Sequence, residues 1–452
     1  MELMQTILAF VVALGILVTV HEYGHYWVAR RVGVKILRFS IGFGRGLWST
    51  NKGEDETEFV IAAIPLGGYV KMLDEREGEV PSELRHRAFN NQTLAARTAI
   101  VLAGPLANFL FAFVVYWAMY IVGVSGPRPV VGEIIPHSLA SMAGLKTGEE
   151  IKGVNGQDSP TWDNVFRSAT TAILDSTSIV LQVVNEGGYE RDVFISLGNI
   201  SVDDLSRGEF FDKVGFKPYR VPIEPLIGGV IAGDPAALAG IRSGDRVISA
   251  DGNNIATWLE WVEYVRARPE EAIDLVLLRD GERLTLSLTP KRVERSGKVV
   301  GRIGAEVDVS TVVTLPLGTE RYGIWQAIPR AIERTGEVVA ITCKFLRKMI
   351  LGEASMQNLS GPISIASYAR ESAEMGFSRF LDFLGLVSIS LGVLNLLPIP
   401  LLDGGHLLYY LIEFATRRPV PETVQLIGHQ IGLALLLGLM SVAVYNDIMR
   451  MM

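Results

Sequence analysis

With 452 residues, 49% of them hydrophobic, and a mean hydropathy of +0.29, the chain is too long for one domain and too apolar for an ordinary soluble protein. A formal net charge of −7 gives no basic footprint, so a nucleic-acid partner is not expected. The lone cysteine, Cys343, excludes an internal disulfide framework.

The first apolar run, residues 6–29, carries His21-Glu22-Tyr23-Gly24-His25. Residues four apart share one face of a helix, so His21 and His25 can hold a zinc ion while Glu22 acts as general base on a bound water. Ionisable groups inside a span cost roughly 2.5–3.5 kcal/mol each and ask for a functional reason. The run is expected to be a span rather than a cleaved signal peptide, because Glu2 precedes it and Arg30, Arg31, Lys35 and Arg38 follow it. Those cations, with Arg85, Arg87 and Arg97 ahead of a second span at 98–124, place the loop between the two spans in the cytoplasm. The loop is rich in strand-forming residues punctuated by glycine, from Ile36 to Trp48, from Glu58 to Ile64, and from Tyr69 to Met72. It predicts a small sheet dipping toward the motif. Ile61, Ala63 and Tyr69 are candidates for a strand that holds substrate extended by strand addition; the other reading is a structural cap.

Residues from Gly126 to about Gly376 form an outer insert that contains a duplication. Gly144-Leu145-Lys146-Thr147-Gly148 returns as Gly240-Ile241-Arg242-Ser243-Gly244, Asn155-Gly156 as Asp251-Gly252, and Thr161-Trp162 as Thr257-Trp258, all at one offset. Each copy reads as strand, short helix, turn, strand and second helix, and is similar to a circularly permuted PDZ domain. Such domains bind peptides beside their sheet; the alternative is a pair that only gates or spaces. Residues 319–351 predict one amphipathic helix on the outer membrane face. A third span, 380–414, is interrupted at Asn395-Leu396-Leu397-Pro398-Ile399-Pro400-Leu401-Leu402-Asp403-Gly404-Gly405-His406, and a fourth covers 424–445. Arg417 and Arg418 lie between them, again on the cytoplasmic side. Broken backbone at membrane depth is tolerated where it lines a cavity or is buried in protein. Zinc hydrolases keep three protein ligands, and Asp403 in the break is the natural third.

H-E-x-x-H in a first span paired with N-x-x-P-x-P-x-x-D-G in a late one resembles the site-2 protease family of intramembrane zinc metalloproteases. Gly104-Pro105-Leu106-Ala107-Asn108 and Asn358-Leu359-Ser360-Gly361-Pro362 fit further segments of that family. Tyr23 and Gly24 are variable as far as the chemistry goes. The expected architecture is a four-span helical membrane protein with a membrane-dipping sheet and two periplasmic PDZ-like α+β domains. Its parts are residues 1–125 with the first two spans and the loop, 126–220 and 221–310 as the repeats, 311–376 as the amphipathic segment, and 377–452 as the last two spans. The resemblance implies a bacterial inner-membrane enzyme with both termini and the repeats in the periplasm. Its substrates would be single-span proteins: an anti-sigma factor of the sigma-E envelope stress response, already trimmed outside the membrane, and remnant signal peptides. The PDZ pair would exclude untrimmed substrates by size.

Asn395 is either an intramembrane hydrogen-bonding residue or a group that orients substrate or an oxyanion. His406, three residues after Asp403, is a supporting histidine or a fourth ligand; His86, His137 and His429 lack partners at metal spacing. Two other classes stay open here. A fourth protein ligand would favour a receptor with structural zinc, and a second broken helix in the first half would favour a metal transporter.

Overall fold

The computed structural model describes residues 2–219, 221–295, 298–308 and 317–451. Four helices are long and apolar enough to cross a membrane: Leu3–Arg31, Leu94–Val122, Phe377–Asn395 and Glu422–Arg450. The chain is a multipass membrane protein. Outside the repeats, helix α1 is Glu2–Arg31 and α2 is Leu94–Val122, opened by Thr93, whose hydroxyl accepts the Ala96 amide, and closed at Gly123 with φ 100°. These two pack side by side through small residues. A Cβ on Gly24 would collide with the Ala103 backbone and the Ala107 side chain, and one on Gly104 with the His25 ring. Gly24 is therefore fixed by packing, although the metal chemistry left that position free.

The loop between α1 and α2 forms the expected sheet from two long strands, Ile36–Lys52 and Thr57–Met72, each of which bends to supply two segments. Phe39 pairs with both Val70 and Phe59, and Ile61 with both Ile41 and Trp48. The segment order is thus 68–72, 36–41, 57–61, 48–52, with Ile61 paired on both sides and Tyr69 on an outer segment. Ile36, Phe39, Val60 and Ala62 are buried, whereas Phe43, Leu47, Trp48, Ile61 and Ile64 leave an apolar face exposed.

The duplication is visible in the fold. Strands order as 157–158, 150–154, 178–184, 190–196 in the first copy and 253–254, 246–250, 273–279, 282–288 in the second. A separate strand pair accompanies each sheet, Val131–Ile134 with Phe216–Pro218 and Ile227–Val230 with Ala305–Val307. Asn155 and Asp251 both take positive φ, 51° and 48°, ahead of glycines at 80° and 79°, the turn that the Asn-Gly and Asp-Gly pairs predict. Each copy also contains a buried acid held by arginine: Arg191 pairs with Glu149 at 2.8 Å and Arg279 with Asp245 at 2.6 Å. In each, the arginine also donates to the carbonyl of the glycine that ends the short helix, Gly144 or Gly240. Residue 220, at the expected boundary between the copies, and the boundary at 310/311 lie outside the described residues.

Beyond the repeats the expectation of one helix over 319–351 is corrected. Leu317–Glu320 is a strand paired with Val124–Pro127, and helix α3 runs over Ala327–Ile350. Pro329 falls in its first turn, where the missing N–H costs nothing; starting earlier would put the proline in the helix interior. Helix α3 holds the first repeat through Arg167–Glu337 (3.3 Å), Lys344–Asp175 (2.6 Å) and Gln157–Glu333 (2.9 Å), and the third span through Arg334–Asp382 (3.1 Å). A helix that periodicity did not reveal, α4 (Pro362–Glu374), lies against α1. Its first amides, together with Gly361, are capped by the Asp447 carboxylate from another helix, at 2.9–3.1 Å. The interrupted third span resolves into α5 (Phe377–Asn395) and α6 (Asp403–Thr416), followed by α7 (Glu422–Met451).

Candidate active site

Helix α1 presents His21 and His25 one turn apart on the face toward α2 and the broken segment. Their Nε2 atoms lie 3.2 Å apart, and Asp403 Oδ2 is 3.3 Å from the first and 3.5 Å from the second. His25 Nδ1 donates to the buried carbonyl of Ile100 at 2.8 Å, leaving Nε2 of the neutral ring bare and aimed at the cluster. Asp403 Oδ2 is buried without a hydrogen-bond partner. Asp403 is not the helix cap that its place after Pro400 allows, since Leu402 occupies the cap position. A set of two imidazoles and one carboxylate, with an orphaned oxygen at its centre, fits a tetrahedral zinc that keeps one open position. Among the described residues these three are the metal-ligating group, their ligand atoms all within 4.8 Å of one another. Among the described residues no fourth protein ligand joins them, which disfavours the closed structural site of a receptor.

The break that delivers Asp403 is tightly wound. Leu401 holds φ 95°, an uncommon value for a branched residue, and side chains on Gly404 or Gly405 would run into the carbonyls of Leu397 or Ile399. The paired glycines let the start of α6 sit under the turn that precedes it. Helices α1 and α2 are continuous, so the second broken helix of a transporter is missing. His406 stands apart from the ligands, with its ring 5.7 Å from His429 and 6.4 Å from Tyr409.

Glu22, His25 and Asp403 share a cavity of about 730 Å³ that reaches Asp74, Arg76 and residues 419–422, the loops flanked by arginines. Val70 and Met72 form one wall. Glu22 and Val70 line the same cavity, and a Cβ on Gly68 would touch Glu22 Cγ at 3.0 Å. The segment beside the site is therefore 68–72. Ile61 lies inside the sheet and exposed Ala63 beyond its paired register, so neither lines the cavity, whereas Tyr69 sits on the right segment with its hydroxyl 3.2 Å from Arg38. Asn395 reaches the centre, its Nδ2 3.5 Å from His21 Nε2. Asn108, which the sequence marked only within a small-residue motif, lies 3.2 Å from His21 Nδ1.

The profile of peptidase family M50 matches residues 9–439. The chain belongs to peptidase family M50, the site-2 protease family, and is a zinc metalloprotease of that family, as the paired motifs implied. It is 42% identical over 452 residues to a putative zinc metalloprotease of Vibrio cholerae, covering 100% of both chains. It is likewise 42% identical over 443 residues to the regulator of sigma-E protease RseP of Escherichia coli, covering 98% of both. The regulator of sigma E protease of Haemophilus influenzae shares 37% over 455 residues, with 100% of each chain covered. Among solved structures, a PDZ domain of an SdrC-like protein from Listeria monocytogenes overlaps 20% of this chain and 93% of its own at 15% identity and a TM-score of 0.17, too low to argue from.

Proposed function

We propose that the protein hydrolyses peptide bonds within the spans of single-pass membrane proteins, with His21, His25 and Asp403 as zinc ligands and Glu22 as general base. The observation that carries this reading is the convergence of two ring nitrogens and an orphaned carboxylate oxygen beside a carboxylate-lined cavity. Zinc bound there would supply Lewis-acid polarisation of the scissile carbonyl and a water that ionises near neutral pH. Glu22 takes the proton of that water and delivers it to the leaving amine. Asn395, with its Nδ2 3.5 Å from His21 Nε2, donates to the oxygen on which charge develops in this reading. The outer segment 68–72 offers main-chain groups to a substrate held extended, so that its amides leave the helical hydrogen bonds that protect them.

The relatives' names point to a substrate in the sigma-E pathway, and a trimmed anti-sigma factor with remnant signal peptides is the proposed class. The apolar exposed face of the sheet supports its dipping into the bilayer of an inner membrane. Both repeats are read as PDZ-like, but their grooves differ. In the first, Phe211 fills the space between the second helix and the terminal strand, its ring 5.4 Å from Trp162, 4.9 Å from Phe166 and 5.4 Å from Phe216. In the second the corresponding space is a cavity of about 750 Å³ lined by Trp258, Val262, Gly304 and Ala305. The second copy is the one proposed to receive a peptide, while the pair restricts access to the site.

The test of the chemistry is Glu22→Gln. The variant should keep its zinc by metal analysis and lose cleavage of a single-span peptide by about 10²–10⁴-fold. Retained cleavage with retained zinc would falsify the assignment of the base.

A further inference from the structure

The two metal-facing histidines are oriented by different means. His25 is held by a backbone carbonyl, that of Ile100, which fixes its proton on Nδ1 in every state. His21 has a side-chain amide instead: Asn108 Nδ2 lies 3.2 Å from His21 Nδ1. Asn108 is fully buried on α2, one turn beyond Gly104, and its Oδ1 has no hydrogen-bond partner. Its backbone is anchored separately, because Ser388 Oγ donates to the Asn108 carbonyl at 2.9 Å. An amide with one end unpaired in the interior carries a desolvation cost that an apolar residue would avoid, so its presence asks for a purpose.

Resting on the reading that His21 is a zinc ligand, we propose that Asn108 is the positioning residue that sets the ring tautomer of His21, its amide meeting the ring at Nδ1 and leaving Nε2 to the metal. The Asn108 amide meets the ring at Nδ1, the nitrogen on the far side from Asp403, whose Oδ2 lies 3.3 Å from Nε2. For Nε2 to serve as ligand, the ring proton has to reside on Nδ1, and Nδ1–H then needs an acceptor. The oxygen and nitrogen of the amide share one envelope, so Oδ1 can face the ring and accept from Nδ1–H. Asparagine and aspartate both supply that acceptor, and leucine does not.

The experiment measures the zinc dissociation constant of the full-length protein in detergent, by competition with a chromophoric chelator, for wild type, Asn108→Asp, Asn108→Leu and Asp403→Asn. The expectation is that Asn108→Leu weakens zinc about 10–100-fold, whereas Asn108→Asp binds at least as tightly as wild type. The aspartate variant decides the matter even if leucine disturbs packing, because it preserves the shape of the side chain. Zinc binding by Asn108→Asp as weak as that of Asn108→Leu overturns the proposal, as does an Asn108→Leu affinity within about twofold of wild type. Equal affinities for wild type and Asp403→Asn would instead strike at the metal site itself, and at this inference with it.

Discussion

At the scale of single residues, the ligand chemistry was legible before any fold was known. His21, Glu22 and His25 announce themselves because few residue types bind zinc and helical spacing limits how they meet. The supporting residues did not. Gly24 looks arbitrary inside the motif until α2 passes so close that a Cβ would strike the Ala103 backbone. Asn108 reads as one small residue among others until the helix pair sets it beside His21. Away from the membrane, Asp204 gives a pH-dependent consequence. The Ser201 backbone amide, then the Ser201 hydroxyl, hold its carboxyl down from 3.8 to about 2. A depressed folded-state value stabilises the fold fully above the unfolded value, and that contribution disappears as pH falls through about 2. Melting temperatures measured from pH 5 to about pH 2 should therefore fall less steeply for Asp204→Asn than for wild type. Parallel curves would contradict the assignment.

At the scale of elements, strand-forming composition located the sheet between the first two spans but could not say which segment faces the site. Alternating residues look alike on inner and outer segments, and only the doubled pairing of Ile61 places it inside. The segment that borders Glu22 is 68–72. Val70→Pro removes one main-chain N–H from the segment that lines the cavity and should lower cleavage about tenfold, the value of about one main-chain hydrogen bond, with zinc content unchanged. Cleavage at the wild-type rate would remove the strand from the mechanism. The strand at Leu317–Glu320 was hidden for a related reason. Its partner, Val124–Pro127, is nearly two hundred residues away, so nothing local distinguishes it from the start of a helix.

At the scale of the whole molecule, the repeat predicted two copies of one small domain, and packing distinguishes them. Phe211 packs against Trp162, Phe166 and Phe216 in the first, whereas a cavity lies beside Trp258 and Val262 in the second. In full-length protein, Ala305→Phe should weaken capture of a peptide with an apolar carboxy-terminal residue about tenfold, the loss of one packed anchor, while cleavage of a short single-span peptide continues. Undiminished capture would move the peptide site elsewhere. Orientation has its own probe in Cys343, the single cysteine, which is exposed on α3. A membrane-impermeant thiol reagent should label it from the periplasmic side of intact spheroplasts, and labelling confined to inverted vesicles would reverse the topology.

The sequence by itself determined the spans, the duplication, the zinc-binding residue types and the pairing of a first-span motif with a broken late span. These depend on local rules: apolar length against bilayer thickness, helical spacing, and the turn chemistry of glycine and proline. Only the tertiary structure decided which neighbours complete the site. The approach of α1 to α2, the wall formed by segment 68–72, the placing of Asn108 and Asn395 around His21, and the filling of one groove all join residues far apart in the chain. Such contacts are set by where close-packed surfaces meet, and no local pattern records that.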